Sequence, residues 1–410
     1  MKYGCIGEKL GHSFSAVIHE KIGLYEYELH PVAKKDLHSF LTQRDFVGIN
    51  VTIPYKKDVI PYCKKISAEA ALCGAVNTVV NRDGELYGYN TDFLGMKDLL
   101  SFGGIPLAGK KVLILGSGGT AGTAFHLCRH LEAERVEMVS REKKEGCITY
   151  EEARARKDVQ VIINTTPCGM YPHMGQSALS LEGFDSLLGV ADAVYNPLRS
   201  DLVLSARERG IPAVGGLYML VSQAVYAAGI FTGKALKKDL VRSIYDSILR
   251  AKENLVLIGM PGCGKSTIGK ALAERLGKRF VDCDEEIEKA EGKSIPEIFR
   301  EVGEQGFRDA ESRVIRRASE EQGAVIATGG GAVLREENVR LLRGNGTLLF
   351  LDAPLSELMA TSSRPLSSTP EDLRRRYEER YGIYCAVCDR KIPVTRSLKE
   401  NLAAVEKELV

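Results

Sequence analysis

Two glycine-rich turns, each set between a short apolar run and a longer amphipathic one, constrain this chain more than any other feature. The first follows Lys111-Val112-Leu113-Ile114-Leu115 and reads Gly116-Ser117-Gly118-Gly119-Thr120-Ala121-Gly122, with a helical run over residues 123–131 behind it. The second follows Leu255-Val256-Leu257-Ile258 and reads Gly259-Met260-Pro261-Gly262-Cys263-Gly264-Lys265-Ser266. A strand that breaks at glycines and restarts as a helix points backbone N–H groups at whatever sits on the helix N-terminus, and phosphate oxygens suit that place. Such turns belong at the edge of a parallel sheet, so the chain is expected to build at least two α/β sheets. Its 410 residues exceed what one core usually serves.

Strand-like and helix-like runs alternate from end to end, and three segments stand out. Residues 1–103 carry strand candidates such as Gly48-Ile49-Asn50-Val51-Thr52-Ile53 and Ala75-Val76-Asn77-Thr78-Val79-Val80. Residues 104–251 form a second α/β unit whose final helical runs, over 217–231 and 239–251, are expected to pack back on the first. Residues 252–410 form a third. No Pro, Ser or Gly tether marks the border near 252, so that joint is expected to be short and stiff.

The formal net charge of +2 excludes a long-range pull toward nucleic acid or an anionic membrane surface. Ten cysteines are scattered without a disulfide framework, which points to a reducing cytoplasm. Cys385 and Cys388 make one C-x-x-C pair on a helix-like stretch, a spacing expected to serve packing rather than zinc. Met1–Gly7 reads as a strand rather than a leader, and no run approaches about 18 apolar residues.

The first glycine turn is that of a dinucleotide site of the Rossmann type, contributed by Gly116, Ser117, Gly118, Gly119 and Thr120. About 24 residues past Gly116, the strand Arg135–Val139 ends in Ser140-Arg141, where an NAD site usually places a carboxylate. A hydroxyl and a guanidinium there, with Lys143 and Lys144 nearby, suit a ribose 2′-phosphate. NADP is therefore favoured over NAD, although Glu142 offsets part of the positive charge.

Upstream lie Ser13-Phe14-Ser15, Asn50-Val51-Thr52-Ile53-Pro54-Tyr55-Lys56, Gly74-Ala75-Val76-Asn77-Thr78 and Asn90-Thr91-Asp92. Each has a bland reading: helix-capping serines, a solvated lysine, Asp92 as a helix N-cap. Together they supply hydroxyls, amides, a lysine and a carboxylate, which suit a small polyhydroxy acid. A lysine beside a carboxylate can protonate an oxygen that gains negative charge as hydride reaches its carbon. With the glycine turn, Asp192-x-x-Tyr195-x-Pro197 and Gly216-x-x-Met219-x-x-x-Gln223, this ordered set resembles shikimate dehydrogenase over about residues 1–250. The resemblance implies Lys56 and Asp92 as the catalytic pair. It implies Ser13, Ser15, Thr52, Asn77, Asp92, Tyr195 and Gln223 around the substrate, and Gly216 and Met219 in the nicotinamide pocket. Ser140-Arg141-Glu142 departs from the family's usual Asn-Arg-Thr.

The second turn is a full G-x-x-x-x-G-K-S. Its amides, from Gly262, Cys263 and Gly264 into Thr267, cradle phosphates, Lys265 reaches the transferred phosphate, and the Ser266 hydroxyl ligates Mg²⁺. Asp282 and Asp284 are expected at i, i+2 on one side of a strand, one serving the metal and the other taking a proton from a hydroxyl. Further on come Gly303-Glu304-x-x-Phe307-Arg308-x-x-Glu311, Thr328-Gly329-Gly330-Gly331, Arg364-Pro365-Leu366 and Arg380. Arginines suit a carboxylate, though Arg308 or Arg380 alone could be a surface ion pair. The set resembles shikimate kinase over about residues 252–410, which implies a P-loop α/β fold like that of nucleoside-monophosphate kinases. By that likeness Asp282 supports Mg²⁺ and Asp284 meets the reactive hydroxyl. Arg308, Arg380 and Gly329–Gly331 hold the acid, Arg364 on a lid reaches ATP, and Arg396 matches the adenine side loosely. The lid segment Met359–Arg364 is shorter than the family's and lacks its extra basic residue.

The expected protein is thus a bifunctional enzyme that reduces 3-dehydroshikimate with NADPH and phosphorylates shikimate with ATP and Mg²⁺. Two rivals stand beside it: a sensor of the pathway acid without catalysis, and an NAD-dependent quinate enzyme fused to another small-alcohol kinase. Fusion invites direct transfer of shikimate between the sites, but co-expression at a fixed ratio is the favoured reason for it.

Overall fold

The strand Asn254–Ile258, apolar from Leu255 onward, is buried at every position, as a strand must be when helices cover both faces of its sheet. The computed structural model that shows this describes residues 1–10, 14–358 and 369–409, with the Lys238 side chain left aside. Ser13 lies outside the described residues, as does Arg364 with the whole segment Met359–Arg364.

Three sheets form. The first joins β1 (Tyr3–Gly7), β2 (Glu28–Pro31), β3 (Gly48–Val51), β4 (Lys65–Ile66), β5 (Thr78–Arg82) and β6 (Glu85–Tyr89) in the order β2-β1-β3-β5-β6-β4. It is parallel at β2-β1-β3 and antiparallel at β3-β5-β6. The second contains β7 (Lys111–Leu115), β8 (Arg135–Ser140), β9 (Cys147–Thr149), β10 (Val161–Asn164), β11 (Gly189–Asp192) and β12 (Ala213–Val214). All its neighbours are parallel, and the order β12-β11-β10-β7-β8-β9 reverses direction at β7. That reversal is the switch point of a doubly wound dinucleotide fold. The third, also parallel, has the order β14-β15-β13-β16-β17, from β13 (Asn254–Ile258), β14 (Arg279–Asp282), β15 (Ala324–Ala327), β16 (Gly346–Asp352) and β17 (Arg390–Pro393).

The chain divides into two compact units. The first comprises Met1–Met170, Gln176–Tyr195 and Leu202–Ile248; the second comprises Tyr171–Gly175, Asn196–Asp201 and Leu249–Val410. In the first unit, helices Thr91–Phe102 and Leu217–Thr232 pack against each other at Gly95, where an ideal Cβ would stand 2.8 Å from the Met219 carbonyl. In the second unit, the end of helix Lys238–Lys252 is tied to the sheet: the Lys278 ammonium donates to the carbonyls of Arg250 (3.0 Å) and Glu253 (3.1 Å), and Gly323 N–H donates to the Lys252 carbonyl. A single residue separates that helix from β13. No described helix is long and apolar enough to cross a membrane.

Candidate functional sites

In the first unit the Lys56 ammonium donates to the Asp92 carboxylate at 2.6 Å, both side chains half-buried. Two features bring them together. The Val76 N–H donates to the Lys56 carbonyl, tying the turn after β3 to the segment that leads into β5. Asp92 stands in the first turn of helix Thr91–Phe102, where the helix dipole favours a carboxylate. The N-cap of that helix is not Asp92 but Asn90, whose side chain accepts from the Phe93 N–H at 3.1 Å. The Asp92 carboxylate is therefore spared for Lys56.

Beside this pair, Asn77 is buried and its amide is bound within the protein. Its Oδ1 accepts from the Thr91 N–H (2.7 Å) and the Thr78 hydroxyl (3.1 Å), and its Nδ2 donates to the Thr91 Oγ1 (3.0 Å). The Thr91 hydroxyl also lies 3.5 Å from the Gln223 Oε1. Asn50 extends the network, donating to the Thr78 Oγ1 at 3.1 Å and accepting from the Tyr27 hydroxyl at 2.7 Å. Thr52 follows directly on β3, and its N–H donates to the Ile6 carbonyl. Tyr195 meets the Phe14 ring edge-on, which sets the helix containing Ser15 beside it, and burial raises the Tyr195 hydroxyl pKa. Gly216 caps the helix that carries Met219 and Gln223.

The dinucleotide turn begins at Gly116, whose φ of 112° is one that L side chains rarely adopt. Gly118 caps helix Gly119–His130, which starts earlier than the sequence run at 123 suggests because Gly119 already enters the first turn. Open space faces Gly118, Gly119 and Gly122, so a phosphate can approach the amides. Ser140 ends β8, Arg141 and Lys143 are exposed, and the Lys144 ammonium donates to the Ser117 carbonyl at 3.4 Å. Of the three cations, Lys144 is thus placed at the turn. Asp192 is fully buried at the end of β11 and accepts from Asn164 (2.9 Å) and from the Val194 N–H (2.9 Å).

In the second unit a cavity of about 330 Å³ opens over the other glycine turn. Lys265, Ser266, Asp284, Arg308 and Arg380 all line it, as do Gly329, Gly330 and Gly331. Helix Lys265–Leu276 begins here behind Gly264 (φ 91°), and the Lys265 ammonium donates to the Gly259 (2.9 Å) and Met260 (3.0 Å) carbonyls. The reading of Arg308 and Arg380 as surface ion pairs is overturned: they are 7% and 3% exposed. The Arg308 Nη1 donates to the Glu311 carboxylate at 2.7 Å, and the Arg380 Nη1 donates to the Gly330 carbonyl at 3.0 Å.

The placement of Asp282 and Asp284 on one strand face is also corrected. The strand ends at Asp282, which turns to cap helix Cys283–Glu291 by accepting from the Asp284 N–H at 3.0 Å. Asp284 therefore sits on the first helical turn and faces the cavity from there. A short polar side chain at a strand end caps a helix more readily than it continues the pleat.

Several residues at these sites had no role in the sequence reading. Glu311 is fully buried, its Oε1 has no hydrogen-bond partner among the described residues, and burial holds its pKa above the usual carboxylate value against the pull of Arg308. Its signal was its position three residues after Arg308, on one helix face. Phe299, Phe307 and Thr328 also line the cavity, and helical spacing of aromatics reads as core before it reads as a wall. Arg396 is exposed in the turn before helix Leu398–Leu409 and does not line the cavity. Cys388 follows helix Pro370–Val387, its thiol 3.6 Å from the Cys385 carbonyl.

Comparison with known proteins divides the chain in the same way. A family model described as the shikimate dehydrogenase substrate binding domain matches residues 5–79, and one described as shikimate kinase matches residues 261–409. A shikimate dehydrogenase (NADP(+)) from Clostridium perfringens strain 13 is 36% identical over 267 residues, covering 60% of this chain and 97% of the relative. Among solved structures, a chorismate mutase/shikimate 5-dehydrogenase fusion protein from Clostridium acetobutylicum is similar at TM-score 0.57 and 35% identity, over 60% of this chain and 96% of that one. A shikimate 5-dehydrogenase from Thermus thermophilus, in complex with NADP(H) and shikimate, is similar at TM-score 0.54 and 28% identity, over 60% and 99%.

Proposed function

Because the chain belongs to the shikimate dehydrogenase family over its first 60% and carries a shikimate kinase domain behind it, we propose that it is a bifunctional enzyme acting twice on one small acid. The first unit reduces 3-dehydroshikimate to shikimate with NADPH, and the second phosphorylates shikimate with ATP and Mg²⁺. Residues 1–103 with the helices of 217–251 form the substrate lobe, 104–251 the NADP lobe, and 252–410 the kinase. Ten free cysteines suit a reducing cytoplasm.

The observation that carries the reductase reading is the 2.6 Å contact of Lys56 with Asp92. Lys56 gives a proton to the substrate oxygen as negative charge develops there, and Asp92 keeps the ammonium aimed. Gln223, Tyr195, Ser15, Ser13 and Thr52 offer hydrogen bonds to hydroxyls and carboxylate, while Asn77 and Thr91 fix the frame from which Asp92 projects. The residues present fit NADPH: open space over Gly118 and Gly119 admits a pyrophosphate, and Arg141, Lys143 and Lys144 suit a 2′-phosphate. When bound, NADPH supplies the hydride. Gly216 and Met219 would hold its nicotinamide end.

The kinase reading rests on Asp284 sharing one cavity with Lys265 and Ser266. Asp284 takes the proton from the attacking hydroxyl, Lys265 neutralises the phosphate in transit, and Arg308 and Arg380 grip the carboxylate. Ser266, which lines the cavity, and Asp282, which ends β14 two residues before Asp284, would hold Mg²⁺, and the amides from Gly262 to Thr267 would hold the phosphates. The hydroxyl produced by the first unit is the one phosphorylated by the second.

A coupled assay with 3-dehydroshikimate, NADPH and ATP–Mg²⁺ tests this. Equimolar NADPH oxidation and shikimate phosphate formation are expected. A preference for NAD with quinate, or shikimate accumulating unphosphorylated, would overturn the respective half.

A further inference from the structure

One cavity in the first unit belongs to neither site. It measures about 650 Å³ and lies among helix Thr91–Phe102, helix Leu217–Thr232 and the turn Gly233 to Lys237. That volume is in the range of small-molecule sites. On helix Leu217–Thr232 its wall is formed by Tyr218, Val225, Tyr226, Gly229 and Ile230, and neither Met219 nor Gln223 lines it.

Its chemistry is specific. Phe102 and Tyr218 stack with centroids 4.1 Å apart and planes 5° from parallel, and Tyr245 meets both rings edge-on at 5.3 Å. Behind Phe102 the Arg242 guanidinium sits 5.4 Å from the ring centroid and is itself paired with Asp246 at 2.8 Å. The cavity is thus bordered by a rigid aromatic block. Its one carboxylate, Asp98, already accepts from the Ser222 hydroxyl at 2.6 Å and is bonded by Tyr226, whose own pKa is pushed up to about 12 by burial and by that carboxylate. Three cations remain: Arg82, Lys234 and Lys237 all line the cavity, are exposed, and have no ion pair among the described residues. Arg82 is held 5.7 Å over the Tyr87 ring. Aromatic walls with an uncompensated positive rim match a flat ring that carries a negative group.

We propose that this cavity is a second ligand site of the first unit, one that takes a small aromatic carboxylate with its ring among Phe102, Tyr218 and Tyr226 and its carboxylate toward Arg82, Lys234 and Lys237.

The test is calorimetric titration of the full-length chain with 4-hydroxybenzoate, in saturating shikimate so that sites for the hydroxy acid are filled. Reductase and kinase rates measured on the same sample show separately whether the proposed function holds. One-to-one binding is expected, with phenol and cyclohexanecarboxylate at least about tenfold weaker. The double variant Lys234→Glu/Lys237→Glu should lose at least about tenfold in affinity, through charge reversal at the rim. Ala235→Trp, which places an indole in the cavity, should abolish binding without changing the rim charge. Neither variant should alter reductase or kinase rates measured without 4-hydroxybenzoate. Absence of binding up to about 10 mM, equal affinity for cyclohexanecarboxylate, or undiminished affinity in either variant would overturn the proposal.

Discussion

The Arg308 guanidinium occupies the space that a side chain on Gly331 would need: an ideal Cβ there would overlap Nη1, Nη2 and Cζ. The close approach explains a glycine at a position that has no positive φ to demand one. Replacing Gly331 by Ala should push the guanidinium off Glu311 and out of its place in the cavity. The expected result is a rise of about tenfold or more in the KM for shikimate, with reductase rates unchanged. Steady-state kinetics of both activities check this, and an unaltered KM would mean that Arg308 does not grip the acid.

Lys56→Ala should lower the reductase kcat by about 10²- to 10⁴-fold, the usual worth of a positioned proton donor, and leave the kinase intact. Asp92→Asn should lower it less, because the ammonium survives but loses its 2.6 Å anchor. Equal loss of both activities in a folded Lys56→Ala protein would contradict two independent centres.

Arg141→Asp should discriminate the cofactors. A carboxylate at the end of β8 repels a 2′-phosphate and accepts from a 2′-hydroxyl, so kcat/KM for NADPH should fall by about tenfold or more while that for NADH holds or rises. A parallel fall for both cofactors would place the phosphate elsewhere.

His19 is 1% exposed, stacks on Tyr27 at 3.8 Å, and bonds the Tyr25 hydroxyl at 2.8 Å. Burial lowers its pKa from 6.5 to about 3. The folded pKa is depressed, so the stabilisation is present above pH 6.5 and is lost as pH falls toward 3. Between about pH 6.5 and pH 5 the loss is about 2 kcal/mol. Denaturant titrations should show His19→Gln with a correspondingly flatter dependence over that interval, and an unchanged slope would refute the assignment.

The two sheets that carry glycine turns were legible because β7 and β13 are apolar after their first residue and stop at a phosphate motif. Their neighbours follow from parallel pairing. What escaped the sequence were decisions made by hydrogen bonds between distant segments. Asn90 rather than Asp92 caps its helix because the Asn side chain also donates to the Ala75 carbonyl, fixing it in place. The bonds of the Asn77 amide to Thr78 and Thr91 join two segments in a way that no spacing in the sequence displays. Asp282 leaves the strand to start a helix, a local choice that periodicity of two cannot register. Glu311 was visible as a residue but not as a buried charge, since its burial depends on the cavity wall opposite.

The grip of Lys278 on the carbonyls of Arg250 and Glu253 has a practical bearing on dissection. A kinase fragment cut at the first residue of β13 would keep the ammonium and discard the acceptors, leaving a cation that burial already disfavours without its partners. The same cut would strip the Gly323 N–H of the Lys252 carbonyl. A free-standing second half must therefore borrow the final turn of the preceding helix and begin no later than Leu249. The border between the two enzymes, so placed, falls inside a helix and not at its end.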